Sequence, residues 1–452
     1  MVSRATPLRA RWPSSVVEAI QTASLTRHLG QVQRVQGMLI EGSVPSTSIG
    51  ELCEIFHPDA PKKIWRCEVV GFHGSHVLLS SLTPLEGISA GCMIRPLRAV
   101  HHVAVGAQLM GRILDGFGDP LDGKPMLRAD EPGVALRPVI ADAPPPTERW
   151  RIKDRFPTGV RSVDTLLTVG QGQRIGLFAG PGCGKTTMMA AVGRGSPADV
   201  IVVALIGERG REVREFTEHE FDADLMARTV MVCATSDRTS IERVRAAFTA
   251  TTIAEGLRDQ GFNVLLMVDS LTRLARAQRE IGLAAGEAPA RAGFPPSVYA
   301  LLPRLIERAG NAAGGSITAF YTVLLEGELR SDPISEEAVS LLDGHIVLSR
   351  KLAEQGLYPA VDVLASLSRV MSNIVPREQT RAAGRIREVL SGYRDMELMV
   401  RLGEYREGVD PATDSIVADY PKVIDFLKQD TRTPVAFEDS LARLTALAGR
   451  AA

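Results

Sequence analysis

The apolar run Ile175 to Ala179 breaks into Gly180-Pro181-Gly182-Cys183-Gly184-Lys185-Thr186-Thr187 and then into a helical pattern. Few segments restrict a fold as strongly. Glycines at alternate positions let successive backbone N–H groups turn inward around phosphate oxygens, and the N-terminus of the following helix adds its positive dipole end. In that context Lys185 reaches the β- and γ-phosphates of a nucleotide, and Thr186 binds a magnesium ion. The glycine that usually opens such a loop is Ala179 here. Gly180, Gly182 and Gly184 remain, so the loop is read as functional. A chance glycine-rich turn would lack the flanking strand and helix.

The rest of the chain agrees with this strand–loop–helix unit. Val200 to Ile206, Val230 to Ala234, Val264 to Val268 and Ile317 to Leu325 are near-continuous apolar runs, as expected of parallel strands covered on both faces. Between them, Ser240 to Gln260 carries the helical stripe Ile241, Val244, Ala247 and Phe248. Two of the runs end in carboxylates, Glu208 and Asp269. Acids at the carboxyl ends of neighbouring parallel strands point into the crevice where such sheets bind ligands. Asp269 suits a magnesium-side role and Glu208 a base that polarises water.

Outside this core the texture changes. From Gln31 to Arg98, short β-runs (Val35 to Ile40, Ile64 to Gly71, Val77 to Ser81) are broken by Gly and Pro, which predicts a small β-barrel. Ala141 to Pro146 reads as a stiff, extended linker approaching the next domain. From Glu378 onward strand signals nearly vanish and helix formers dominate. Ser15-Val16-Val17-Glu18 fits a capping box on a short basic helix, suited to a membrane surface or a partner protein. Lys plus Arg (52) nearly equals Asp plus Glu (53), and aromatics make up 5%. That balance argues against bulk nucleic acid as the main partner. The five scattered cysteines support neither a disulfide framework nor a zinc site.

Taken together, Thr158-Gly159-Val160-Arg161, the glycine-rich loop, Gly207-Glu208-Arg209, Asp269 to Arg273 and Tyr358-Pro359-Ala360 resemble the catalytic subunit of rotary ATP synthases. Arg279 to Glu287, Gly293 to Gly310, Leu342 to Arg350 and Tyr358 to Met371 narrow the resemblance to the ATPases of type III secretion and flagellar export. Ile49 to Cys53 and Glu68 to Phe72 tilt it toward secretion. The resemblance implies an α/β fold: a RecA-like P-loop domain with a mostly parallel sheet, an N-terminal small β-barrel and a C-terminal helical domain. The corresponding boundaries are residues 1–26 for an oligomerisation or docking segment, 27–98 for the barrel, 99–377 for the ATPase domain and 378–452 for the helices.

The same resemblance implies Mg²⁺-dependent ATP hydrolysis. Glu208 is the matching catalytic carboxylate, Arg209 its neighbour in the site, Tyr358 the ring that packs on adenine, and Arg369 the arginine finger supplied by an adjacent subunit. One chain holding both Glu208 and Arg369 can close a ring of identical subunits, and the resemblance implies six of them, a homohexamer. The expected partners are a stator-like regulator at the N-terminal region, a central stalk protein meeting Ala284 to Pro296, chaperone–cargo complexes and the export apparatus. No specific nucleic acid is expected. The expected location is cytoplasmic, peripherally at the inner-membrane face. The alternatives are a flagellar export ATPase, a non-catalytic rotary-synthase subunit, against which Glu208 argues, and a ring helicase, for which the barrel region offers few basic or aromatic residues.

Overall fold

The computed structural model describes residues 29–449, except 328, 330 and 331. The capping box at Ser15 to Glu18 and the N-terminal docking segment lie outside the described residues. The chain divides into two compact units between Ala99 and Val100.

The first unit is a closed barrel of strands β1 (Gly30–Gln36), β2 (Leu39–Ser43), β3 (Glu51–His57), β4 (Ala60–His73), β5 (His76–Ser81) and β6 (Met93–Val100). Alternation builds it. Along β3, Cys53 and Ile55 point inward while Leu52 and Glu54 are only half-buried. These inward side chains join Val32, Ile40, Trp65, Val69, Leu79 and Ile94 in one apolar core. Closure leaves no long unpaired edge. The expected single run Val35 to Ile40 is in fact a hairpin, with its turn at Gly37, where φ is +59° and a side chain would be strained.

In the second unit the main sheet runs β17 (Leu367–Ser368), β16 (Gly344–Leu348), β10 (Arg174–Ala179), β15 (Ser316–Leu324), β13 (Asn263–Asp269), β11 (Val200–Ile206), β12 (Thr229–Ala234) and β8 (Ile113–Asp115). The strands from β16 to β8 are parallel; β17 and the short β14 (Gly310–Asn311) pair antiparallel with β16 and β15. All of β11 is buried, with one apolar core on each face of the sheet.

The helices that matter for the site are α1 (Lys185–Gly195), α2 (Ser240–Asp259), α3 (Leu271–Ala284) and α4 (Pro296–Ile306). The C-terminal helices are α5 (Arg377–Leu402), α6 (Pro411–Leu427) and α7 (Phe437–Gly449). Thr239 caps α2 by accepting from the Glu242 N–H, and Ser270 caps α3 by accepting from the Arg273 N–H. Helix α5 ends at Gly403, in the left-handed conformation that closes helices.

The structure corrects the reading of Ala141 to Pro146 as the approach to the α/β core. That core already includes the preceding residues. A two-stranded ribbon, β7 (His102–Val105) with β9 (Ala135–Pro138), packs beside α2, and β8 is an edge strand of the main sheet. Arg308, fully buried and ion-paired with Glu255, donates to the Val139 carbonyl at 2.8 Å, and Thr252 donates to the same oxygen at 3.1 Å. A buried guanidinium needs such partners, so residue 139 is held to the core by polar bonds as well as by packing. The strand β8 is too short and too polar at its end for periodicity to reveal it.

Candidate active site

Three strand ends build the polar half of the site. Strand β10 delivers the loop Gly180 to Gly184; Gly182 and Gly184 have φ of +74° and +83°, which suit glycine and turn the backbone into α1. Strand β11 ends one residue before Gly207, whose φ of +65° redirects the chain so that Glu208 turns inward. Strand β13 ends in Asp269. Glu208 and Asp269 are 7% and 3% exposed, an unusual degree of burial for carboxylates.

What neutralises them is Lys185. Its Nζ lies 2.6 Å from Asp269 Oδ1 and 3.3 Å from Glu208 Oε1. Thr322, on β15, donates to Asp269 Oδ1 at 2.6 Å. Arg273, in the first turn of α3, lies 2.8 Å from Glu208 Oε2 and also donates to the Gly207 carbonyl. Two carboxylates and two cations therefore interlock at one end of the sheet. The strands that end in the two acids, β11 and β13, are neighbours as expected; β15 lies between β13 and the loop strand β10 and contributes Thr322.

Burial pushes the Glu208 carboxyl up to about 7, reinforced by a hydrogen bond with Glu212 and the nearby Asp269 charge, against the pull of Lys185 and Arg273. The partner Glu212 is lowered, first by that same hydrogen bond. A carboxyl held near neutrality is poised to take or hold a proton.

The second half of the site is an open cleft of about 320 Å³ with polar and apolar lining in nearly equal parts. Its walls are Gly182, Cys183, Gly184 and Thr187 on one side and Tyr358, Pro359 and Thr431 on the other. The Tyr358 ring is 44% exposed and passes close to Gly184, at which a Cβ would sit 3.9 Å from the ring. Thr186 is half-buried in the first turn of α1, Gly180 is half-buried, and Pro181 is exposed. The Cys183 thiol is buried, and all five cysteines are unbridged.

Lys185, Glu208 and Asp269 thus meet, and the loop meets Tyr358. Arg209 and Arg369 stand apart. The Arg209 side chain is 80% exposed and pairs with Glu212 at 3.3 Å. Arg369 is exposed directly after the edge strand β17, its guanidinium 3.1 Å from the Val339 carbonyl. Among the described residues, neither bonds to the Lys185 cluster. Four participants had no role in the reading of the sequence: Arg273, Thr322, Glu212 and Thr431. Arg273 alone carried a signal, since it closes the quoted run Asp269 to Arg273 and lies in the turn that Ser270 caps.

Comparison with known proteins agrees with this arrangement. Residues 159–368 match the nucleotide-binding domain of the ATP synthase alpha/beta family, and residues 375–446 match the type III secretion EscN ATPase C-terminal domain. The chain is 52% identical to the type 3 secretion system ATPase of Pseudomonas syringae pv. syringae over 438 residues, 96% of this chain and 97% of that one. The chain belongs to the type III secretion ATPase family.

This ATPase is also 46% identical over 437 residues to the flagellum-specific ATP synthase of Bacillus subtilis, covering 96% of this chain and 98% of that one. Flagellar ATPases are therefore relatives of this chain as well. The structure of assembled EscN with its central stalk EscO, from enteropathogenic E. coli, superposes with a TM-score of 0.84. It is 42% identical and covers 93% of this ATPase and all of EscN. No described helix is long and apolar enough to cross a membrane.

Proposed function

We propose that this ATPase hydrolyses Mg-ATP at sites completed between identical subunits, and that the resulting ring drives protein export. The observation that carries the reading is Lys185 held between Glu208 and Asp269 beside the glycine-rich loop. A lysine so placed exchanges carboxylate partners for phosphates when a nucleotide enters, which frees Glu208 to orient water. Arg273 keeps Glu208 aimed after Lys185 leaves it. The backbone N–H groups from Gly180 to Gly184, with Thr187 beyond them, cradle the phosphates, and Tyr358 stacks on the base.

The Thr186 hydroxyl and the Asp269 carboxylate are hard oxygen donors that fit a magnesium ion, and Asp269 already holds one cation at 2.6 Å. When bound, that ion supplies neutralisation of charge on the phosphate oxygens.

Arg369 is read as a finger acting on the neighbouring subunit's nucleotide. Its exposure at the sheet edge, away from its own Glu208, supports a role in trans. Arg209, also exposed, is read as serving the same shared interface. A homohexameric ring follows as the assembly, since the EscN structure is of an assembled ATPase with a central stalk. The stretch Ala284 to Pro296, where Ala292 has φ of +51°, is the proposed stalk-facing loop. Chaperone–cargo complexes, a stator-like regulator and peripheral attachment at the inner membrane complete the reading, with release and unfolding of cargo as the work done.

Mixing subunits tests the reading. Arg369→Ala and Glu208→Gln should each be nearly inactive alone. Mixed rings contain interfaces that pair an intact Glu208 with an intact Arg369, and these should regain partial phosphate release. Inactive mixtures, with co-assembly verified by two tags, would exclude a finger acting in trans.

A further inference from the structure

The base end of the cleft is held by chain that the proposed chemistry does not use. Gln429 lies just past the end of α6. Its backbone N–H donates to the Tyr358 carbonyl at 2.9 Å. Its side-chain Oε1 accepts the Arg161 N–H at 2.8 Å, while Nε2 donates to the Gly159 carbonyl at 2.7 Å and to the Thr433 carbonyl at 3.1 Å. One residue thus joins Tyr358 to the turn that precedes the phosphate loop, across more than half of the chain.

Further bonds brace the same stretch. The Arg161 guanidinium donates to the Phe426 carbonyl at 2.7 Å and the Lys428 carbonyl at 3.2 Å. Arg194, near the end of α1, donates to the carbonyls of Glu220 at 2.7 Å and Thr431 at 3.2 Å. The Val435 N–H donates to the Gly159 carbonyl at 3.0 Å. Gly159 has φ of +71°, and a Cβ there would lie 2.8 Å from both Gly195 and Pro434, so the backbones approach as closely as they can. Within this braced stretch Thr431 lines the nucleotide cleft. Only an amide side chain supplies both the acceptor that Arg161 uses and the donor that Gly159 uses; a carboxylate would face the Gly159 carbonyl with no proton.

We propose that Gln429 is a positioning residue for the nucleotide base: it holds Tyr358 in register with the phosphate loop and so ties nucleotide affinity to the placement of the C-terminal helices. This rests on the reading of Tyr358 as the base platform. The phosphate cluster at Lys185 shares no bond with Gln429, so the effect falls on the base alone.

Inorganic tripolyphosphate offers the phosphates without the base, and it separates positioning from a general loss of structure. Gln429→Ala is compared with the parent full-length ATPase by displacement of a ribose-labelled fluorescent ATP analogue, with thermal midpoints measured alongside. Gln429→Ala keeps the backbone bond to Tyr358 and removes the side-chain bonds to Arg161, Gly159 and Thr433; a net loss equal to one hydrogen bond, about 0.5–1.5 kcal/mol, predicts ATP affinity weakened about two- to twelvefold, with tripolyphosphate affinity unchanged. KM for ATP should rise with kcat held within about twofold. Tyr358→Ala should show the same base-selective loss. The double variant should bind ATP no more weakly than Tyr358→Ala alone, because Gln429 acts through that ring. Equal losses for ATP and tripolyphosphate would overturn the proposal in favour of a merely structural role, and so would additive losses in the double variant. A selective loss in Tyr358→Ala with none in Gln429→Ala overturns the proposal and leaves the base platform standing. Unchanged ATP binding in Tyr358→Ala overturns both.

Discussion

The phosphate end and the base end of this nucleotide site are built on different physical terms. At the phosphate end four charged side chains, Lys185, Arg273, Glu208 and Asp269, interlock at the tips of buried parallel strands, with Thr322 donating to the same Asp269 oxygen as Lys185. Each strand tip is fixed by a ladder of backbone bonds, so the charges are placed before any ligand arrives. At the base end the cleft is open and carries no ion pair like the one at Lys185 among the described residues, and its walls come from residues 182–188 and from late segments around Tyr358 and Thr431. Those late segments are held by scattered hydrogen bonds from several parts of the chain, those of Gln429, Arg161 and Arg194 among them. The difference teaches that electrostatic preorganisation belongs to the sheet, whereas base contact belongs to loops that other parts of the molecule can move.

The largest expected effects probe the charged end and its completion by a neighbour. Arg369→Ala should lower kcat about 10³–10⁵-fold with nucleotide binding retained, the range that arginine fingers contribute elsewhere. If activity recovered with protein concentration, weak assembly rather than a missing charge would be responsible. Glu208→Gln should lower kcat about 10²–10⁴-fold while still binding Mg-ATP, as loss of a positioned base does. Turnover near that of the parent ATPase would remove Glu208 from the mechanism. Lys185→Ala should instead abolish tight binding of ATP and of tripolyphosphate alike in a displacement assay, because it removes the charge at the phosphates. An unchanged affinity would sever the glycine-rich loop from phosphate recognition and dissolve the contrast between the two ends.

Tyr358→Ala touches the other end. Loss of stacking worth about 1–3 kcal/mol should weaken ATP roughly five- to 150-fold but spare tripolyphosphate. Equal effects on both ligands would mean that the two ends are not separable.

The smallest expected effect is on pH. Because burial, helped by Glu212, raises the Glu208 carboxyl to about 7, kcat/KM should climb with pH through an apparent midpoint near 7. Glu212→Gln removes the partner that raises it, so the acid limb should move to lower pH; a shift the other way would reject the shared hydrogen bond. Stability runs the other way. The folded-state value lies above the ordinary 4.5, so the native state holds its proton longer than the unfolded chain. This group's favourable contribution is present below pH 4.5 and is lost as pH rises toward 7.

Much of the charged end was legible in the sequence because its parts are local. Gly180 to Thr187 is a continuous motif between a strand and a helix, and Glu208 and Asp269 follow runs too apolar to be anything but buried strands. Arg273 was visible as a residue but not as a partner of Glu208, since that pairing joins the ends of β11 and β13. The barrel strands were readable from alternation, yet the turn at Gly37 was hidden inside an apparently continuous run.

What the sequence by itself determined is therefore where the glycine-rich loop and the two strand-end acids lie, and the family to which the chain belongs. Backbone propensity and burial pattern are properties of a few consecutive residues, so they survive being read one segment at a time. The tertiary structure alone decided who meets whom. It placed β15 and Thr322 between the loop strand and Asp269, drew β8 from ahead of the apparent linker into the main sheet, and left Arg369 exposed and bonded to the Val339 carbonyl rather than to the Lys185 cluster. It also joined Gln429 to Gly159, Arg161 and Tyr358. The pairings of Thr322, β8 and Gln429 depend on strand order and on closing loops of 53 to 270 residues, and no local pattern records them.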